Sequence, residues 1–155
     1  MPHLHEKIDY SVEVFVVYGN RILLRKHDKY GMWMSVGGHI ELDEDPNEAA
    51  VREVKEEVGL DIKLADDLLP PIKDTETYRD LIPPKFLNRN RISKTHEHVT
   101  LVYFAISNSD KIKQGEREVS EAIHWFSQEE LNNPEYQINE DIKYYASQAL
   151  KELSG

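Results

Sequence analysis

The chain contains no cysteine among its 155 residues. That excludes disulfides, thiolate nucleophiles, iron–sulfur clusters and cysteine-bearing zinc sites, and it fits a reducing cytoplasm. No apolar run approaches the ~20 residues that span a membrane. The opening Met1-Pro2-His3-Leu4-His5-Glu6-Lys7 lacks the hydrophobic stretch of a signal peptide. Basic residues are in deficit, 19 against 29 acids, for a net charge of −10. Such a balance argues against gripping a nucleic-acid polymer by its phosphates or lying on an anionic membrane. Repeats, low-complexity tracts and linkers are also missing. The length suits one domain, which can bury roughly 70% of its unfolded surface without a staple. The expectation is a single acidic cytoplasmic domain over residues 1–155.

The acid is concentrated. Residues 38–60 carry Glu41, Asp43, Glu44, Asp45, Glu48, Glu53, Glu56 and Glu57 against Arg52 and Lys55, more than half of the net charge. By contrast, 85–94 (KFLNRNRISK) holds Lys85, Arg89, Arg91 and Lys94 and no acid. An acidic cluster beside a separate basic stretch suits an anionic ligand that arrives with a cation.

Apolar patterning predicts strands at 9–18 and 21–26 joined at Gly19-Asn20, and a short one at 32–36 broken by Gly37-Gly38 and resuming over 39–41. Asp45-Pro46-Asn47-Glu48 is a helix start with a capping residue, a proline at the first position and a capping-box glutamate. That helix runs to Val58, where Gly59 can end it in the left-handed conformation. A strand follows at 60–65, then an irregular 66–95 with Pro70, Pro71, Pro83 and Pro84. Strands at 99–106 and 122–126, a short helix opened by Ser127-x-x-Glu130, and a terminal helix with Ile138, Ile142, Tyr145, Ala149 and Leu153 on one face complete the pattern. The resulting class is α/β, a sandwich around a mixed sheet.

In the first helix Glu53, Glu56 and Glu57 stand at i, i+3 and i+4 and share one face, while Ala50, Val51, Val54 and Val58 form another. Like charges at these spacings cost a few tenths of a kcal/mol per pair, roughly. A hard divalent cation offsets that repulsion and shares its remaining positions with substrate phosphates. From Gly38 the segment fits G-x5-E-x7-R-E-U-x-E-E-x-G-U, with U aliphatic, at Gly38, Glu44, Arg52, Glu53, Val54, Glu56, Glu57, Gly59 and Leu60. At about one in fifteen for each of the seven fixed identities, with two aliphatic positions besides, a chance match in such a chain falls below about one in ten million.

This is the Nudix box, at 38–60, and the chain resembles the Nudix hydrolase family, MutT-like members included. Trp33, Gly37-Gly38 and the Glu121-Ala122-Ile123-His124-Trp125-Phe126 segment extend the likeness. Val36 departs from it, standing where many members carry proline. The resemblance implies a Nudix-type α/β/α sandwich and a metal-dependent hydrolase that cuts a pyrophosphate bond with water. Glu53, Glu56, Glu57 and the Gly38 carbonyl would hold Mg²⁺, with Mn²⁺ as substitute. Arg52 would fix the box carboxylates, and Glu44 looks structural. The proton acceptor would be Glu53, or a glutamate from the loop before the last strand, where Glu118 is preferred over Glu116 and Glu121. Substrate contacts fall to Arg25 at the end of the second strand, to Arg89 and Arg91 as phosphate clamps, and to Tyr78, whose spacing resembles that in members acting on dinucleoside polyphosphates. The expected substrate is a small nucleotide, a nucleoside triphosphate cut to monophosphate and pyrophosphate. Dinucleoside polyphosphates, nucleotide sugars and ADP-ribose are alternatives, and a non-catalytic nucleotide sensor is the reading from another class. Both a monomer and a homodimer are compatible. His3/His5 and His96/His98 each place two imidazoles on one side of an extended segment, a pattern zinc can use, but with no third ligand identifiable they read as polar contacts at strand ends. His27, His39 and His124 read as ordinary.

Overall fold

The computed structural model describes residues 7–26, 31–66, 73–115 and 122–155. β1 (Ile8–Tyr18) turns at Gly19, whose positive φ of 63° suits glycine, into β2 (Arg21–Lys26). β3 (Trp33–Met34) and β4 (Val36–His39) follow, then helix α1 (Pro46–Val58) and β5 (Ile62–Leu64). β6 (Phe86–Arg91), β7 (Glu97–Ser107) and β8 (Ala122–Phe126) precede the short α2 (Gln128–Leu131) and the terminal α3 (Glu140–Leu153).

All eight strands join one sheet along the path β3-β2-β1-β7-β5, with β4 on β1, β6 on β7 and β8 on β2. β1 and β7 run parallel over ten residue pairs and the other pairings are antiparallel, so the sheet is mixed as expected. Its two central strands are the ones whose apolar residues occupy both faces, the pattern of a strand covered on either side. One layer packs Val12, Val14, Val16 and Tyr103 against Ala49, Ala50, Val54 and Val58 of α1. The other packs Phe15, Val17, Val102 and Phe104 against Ile142, Ala146, Ala149 and Leu150 of α3. Along β1 these sets alternate, so the odd-numbered side chains face α3 and the even-numbered ones α1.

The structure corrects four local expectations. β4 runs through Gly37-Gly38 and ends at His39, because glycine lets β4 approach β1 closely; a Cβ on Gly37 would collide with the Val12 carbonyl oxygen. The basic stretch is a strand over 86–91, paired with 97–102 of β7. Its alternating asparagines and arginines lack the β-branched signature of strands. The strand expected at 60–65 is confined to Ile62–Leu64. On α1, Val51 is 43% exposed and Ala49 takes its place in the core. The helix otherwise starts and stops as its caps dictate, with both halves of the Asp45–Glu48 capping box formed and Gly59 left-handed at φ 72°.

Candidate active site

Of the three glutamates sharing one face of α1, two are inside the protein: Glu53 is 2% exposed and Glu57 3%. Glu56 is on the surface, its side chain 61% exposed. Buried carboxylates demand counter-charge, since desolvating an ion without a partner costs several kcal/mol, roughly.

Arg52 supplies one partner. Its Nε donates to Glu44 Oε2 at 2.9 Å and its Nη2 to Glu44 Oε1 at 2.7 Å, the two-pronged geometry in which guanidinium matches carboxylate. Nη1 reaches Glu53 Oε1 at 3.0 Å and Glu56 Oε2 at 3.2 Å, and Nη2 also donates to the His39 carbonyl at 3.0 Å. Glu44 in turn accepts the Glu41 N–H at 2.8 Å across the turn in which Asp43 takes φ 67°. The Arg52 bonds hold the Glu44 carboxyl below its ordinary pKa, and those same bonds raise that of Arg52. Arg52 thus gathers Glu44, Glu53 and Glu56, while Glu44 bonds back to the loop between β4 and α1.

Arg25 is the second partner. It is 7% exposed, and its Nε lies 2.8 Å from Glu57 Oε2. The pairing joins the end of β2 to the last turn of α1, and it turns Glu57 toward the sheet. Arg25, expected at the substrate, is in the structure the counter-ion of Glu57. An arginine next to the end of a strand whose interior is buried needs an acid nearby, although the sequence does not say which one.

Gly38 lies against Glu53. A Cβ at this position would stand 2.5 Å from Glu53 Cδ and 2.8 Å from Oε2, so only glycine admits the carboxylate here. Carboxylates from one helix beside a backbone stripped of its side chain form an all-oxygen donor set, which fits a hard divalent cation. An open groove of about 670 Å³ borders the set, lined by Glu44, Asn47, Arg52, Lys55 and Glu56. Asn47, on the groove wall, is tied to the 82 segment, accepting the Ile82 N–H at 2.8 Å and donating to its carbonyl at 2.9 Å.

The remaining candidates sit elsewhere. Arg89 makes two bonds to Glu97, at 2.6 and 3.1 Å, on the exposed side of β6. Arg91 is exposed at the end of that strand. Tyr78 is 56% exposed, with Lys73 Nζ 5.5 Å from its ring centroid. Glu116, Glu118, Glu121, His3, His5 and His27 lie outside the described residues. His124 is bonded to Glu130 at 2.6 Å.

The NUDIX domain family matches residues 8–148. The chain belongs to the Nudix family. A crystal structure of a NUDIX-family hydrolase from Clostridium perfringens is similar at a TM-score of 0.83 and 34% identity, covering 94% of this chain and 98% of that one. A MutT NUDIX hydrolase from Burkholderia pseudomallei shares the fold at a TM-score of 0.65 and 22% identity, covering 96% and 100%. Among curated proteins, the dihydroneopterin triphosphate diphosphatase of Haemophilus influenzae is 46% identical over 52 residues, 33% of this chain and 33% of that one. The match therefore spans about a third of that relative. The Nudix domain and the hydrolase names of these relatives support a pyrophosphohydrolase, in a family that generally uses divalent metals. Among the described residues, no helix is long and apolar enough to cross a membrane.

Proposed function

We propose that this Nudix enzyme hydrolyses a small nucleoside triphosphate to the monophosphate and pyrophosphate, with Mg²⁺ or Mn²⁺ held by Glu53, Glu56, Glu57 and the Gly38 carbonyl. The observation that carries the reading is the pair of buried carboxylates, Glu53 and Glu57, each held by its own arginine and one of them pressed against Gly38. The triphosphate preference draws on the partial likeness to a protein named a triphosphate diphosphatase. When bound, the divalent ion neutralises phosphate oxygens and lowers the pKa of a coordinated water.

The protein's own groups do the rest. Arg52 and Arg25 keep the carboxylates in place before substrate arrives, which lowers the reorganisation needed in the transition state. A water oxygen bonds to phosphorus, the bond from that phosphorus to the bridging oxygen breaks, and pyrophosphate departs. The water's proton passes to a carboxylate, Glu118 or Glu53. Glu118 follows by three positions Gly115, whose N–H donates to the Glu57 carbonyl at 3.3 Å. Arg89 and Arg91 are proposed to clamp substrate phosphates and Tyr78 to contact the substrate, and one domain over 1–155 is proposed to suffice.

Changing Glu53, Glu56 or Glu57 to Gln should lower kcat by about two orders of magnitude or more, roughly 2.7 kcal/mol. A panel of triphosphates, dinucleoside polyphosphates, nucleotide sugars and ADP-ribose, assayed with Mg²⁺ by coupled phosphate release, checks both substrate and site. Turnover of every triphosphate below that of the other classes would reject the substrate assignment, and full turnover in all three variants would reject the site.

A further inference from the structure

The opposite face of the sheet carries a second concentration of ligand chemistry. Asp9 is 1% exposed near the start of β1. Directly across the parallel ladder stands His98 of β7, and His39 ends β4 two pairs further along, opposite Ser11. A carboxylate oxygen of Asp9 and a ring nitrogen from each of His39 and His98 all lie within 4.8 Å of one another. His39 Nε2 is 3.5 Å from Asp9 Oδ2, close to the ~3.3 Å edge of a tetrahedral shell with bonds of ~2.0–2.1 Å. The two histidine rings stand edge to face with centroids 5.0 Å apart.

A fourth side chain braces the cluster. His96 Nε2 is 2.9 Å from Asp9 Oδ2, and its ring lies 5.3 Å from that of His98 at 88°. His96 is itself 8% exposed and fixed by a tight turn, in which the Ile92 and Ser93 N–H groups both donate to its carbonyl. Carboxylates that ligate metals are commonly held in this way by an outer partner.

We propose that Asp9, His39 and His98 form a metal site separate from the box, suited to a borderline transition ion such as Zn²⁺, with His96 orienting the Asp9 carboxylate. Donor type separates the two sites. Imidazole favours zinc and its neighbours, whereas Mg²⁺ takes oxygen almost exclusively. Topology separates them as well. Asp9 is odd-numbered on β1 and faces the α3 side, as do His98 and His39 through their pairing, whereas Gly38 and Glu53 meet on the α1 side. All three ligands come from paired backbone, so their positions are set by the ladder and not by a loop. Because His39 follows Gly38 and its carbonyl accepts from Arg52, an ion here would pin the box loop from behind.

The test uses chelator-stripped protein, titrated with Zn²⁺ by calorimetry in excess Mg²⁺, with metal content measured by emission spectrometry. The expected result is one zinc per chain, retained in Glu56→Gln. His39→Asn and His98→Gln should each weaken uptake by at least about 100-fold, and His96→Gln by about 10- to 100-fold. No zinc uptake beside Mg²⁺, or uptake unchanged in both His39→Asn and His98→Gln, overturns the proposal. Nitrogen NMR of the wild-type histidines settles the matter even where a variant fails to fold. Zinc must move the ring resonances of His39 and His98, and shifts confined to other histidines refute the site.

Discussion

Gly37 and Gly38 are neighbours in sequence with opposite tasks. The space beside Gly37 is filled by the Val12 backbone, and that beside Gly38 by the Glu53 carboxylate. Backbone cannot yield without breaking the β1–β4 ladder, whereas a side chain can swing aside. Gly37→Ala should therefore destabilise the fold by several kcal/mol, of the order of other severe overpacking. Gly38→Ala should leave the melting temperature nearly unchanged while lowering kcat by at least about tenfold, because it displaces Glu53. Thermal melts and steady-state kinetics on the two variants check this contrast. At this scale the box was legible, since seven fixed identities at set spacings carry their own meaning. Arg25 against Glu57 and Asp9 against His98 were not, because those residues are far apart in the chain and meet only once strands have paired. His39 read as ordinary for the same reason: its partners enter from β1 and β7.

At the scale of elements, capping residues announced α1 and α2 accurately because caps are local. Asp45 accepts the Glu48 N–H at 2.9 Å while Glu48 returns a bond to the Asp45 N–H at 3.1 Å. Asp45→Ala should cost about 1 kcal/mol and lower the melting temperature by roughly 2–4 °C, as a thermal melt would show. The second box, Ser127 with Glu130, adds a pH signature. The Ser127 N–H, then His124, pull the Glu130 carboxyl from 4.5 down to about 2. A depressed carboxylate stabilises the fold fully above its unfolded pKa and loses that contribution as protons bind. The stability gap between wild type and Glu130→Gln should therefore narrow as pH falls from 4.5 toward about 2, and close below it. Urea titrations across that range measure it. β6 escaped sequence reading because an outer strand facing solvent on one side needs no apolar alternation: Phe86 is half-buried, whereas Leu87 is 65% exposed.

The whole molecule depends on β1, which carries residues of both cores and pairs with β2, β4 and β7. Phe15 is fully buried between Phe104, at 6.3 Å edge to face, and Tyr145, at 5.7 Å. Phe15→Ala should cost about 3–5 kcal/mol, and loss of secondary structure and of tryptophan burial should remain one coincident transition. Circular dichroism and fluorescence recorded on the same sample test that. The mixed α/β architecture was readable from the apolar runs of β1 and β7, whose two-sided burial implies helices on each face. The fork in which β4 and β6 take one half of the central pair while β2 and β5 take the other was not readable, since it is set by where short segments stop.

The three box glutamates differ in what binds them to the fold. Glu57 neutralises a guanidinium inside the protein and Glu53 fills the space beside a glycine, whereas Glu56 reaches into solvent beside Arg52. A lineage that abandoned hydrolysis would thus drift unevenly. Glu56 would be the first to be replaced, at little structural penalty, while Glu57 would persist as long as Arg25 did. Descendants with that signature would fold well, bind poorly and cut nothing.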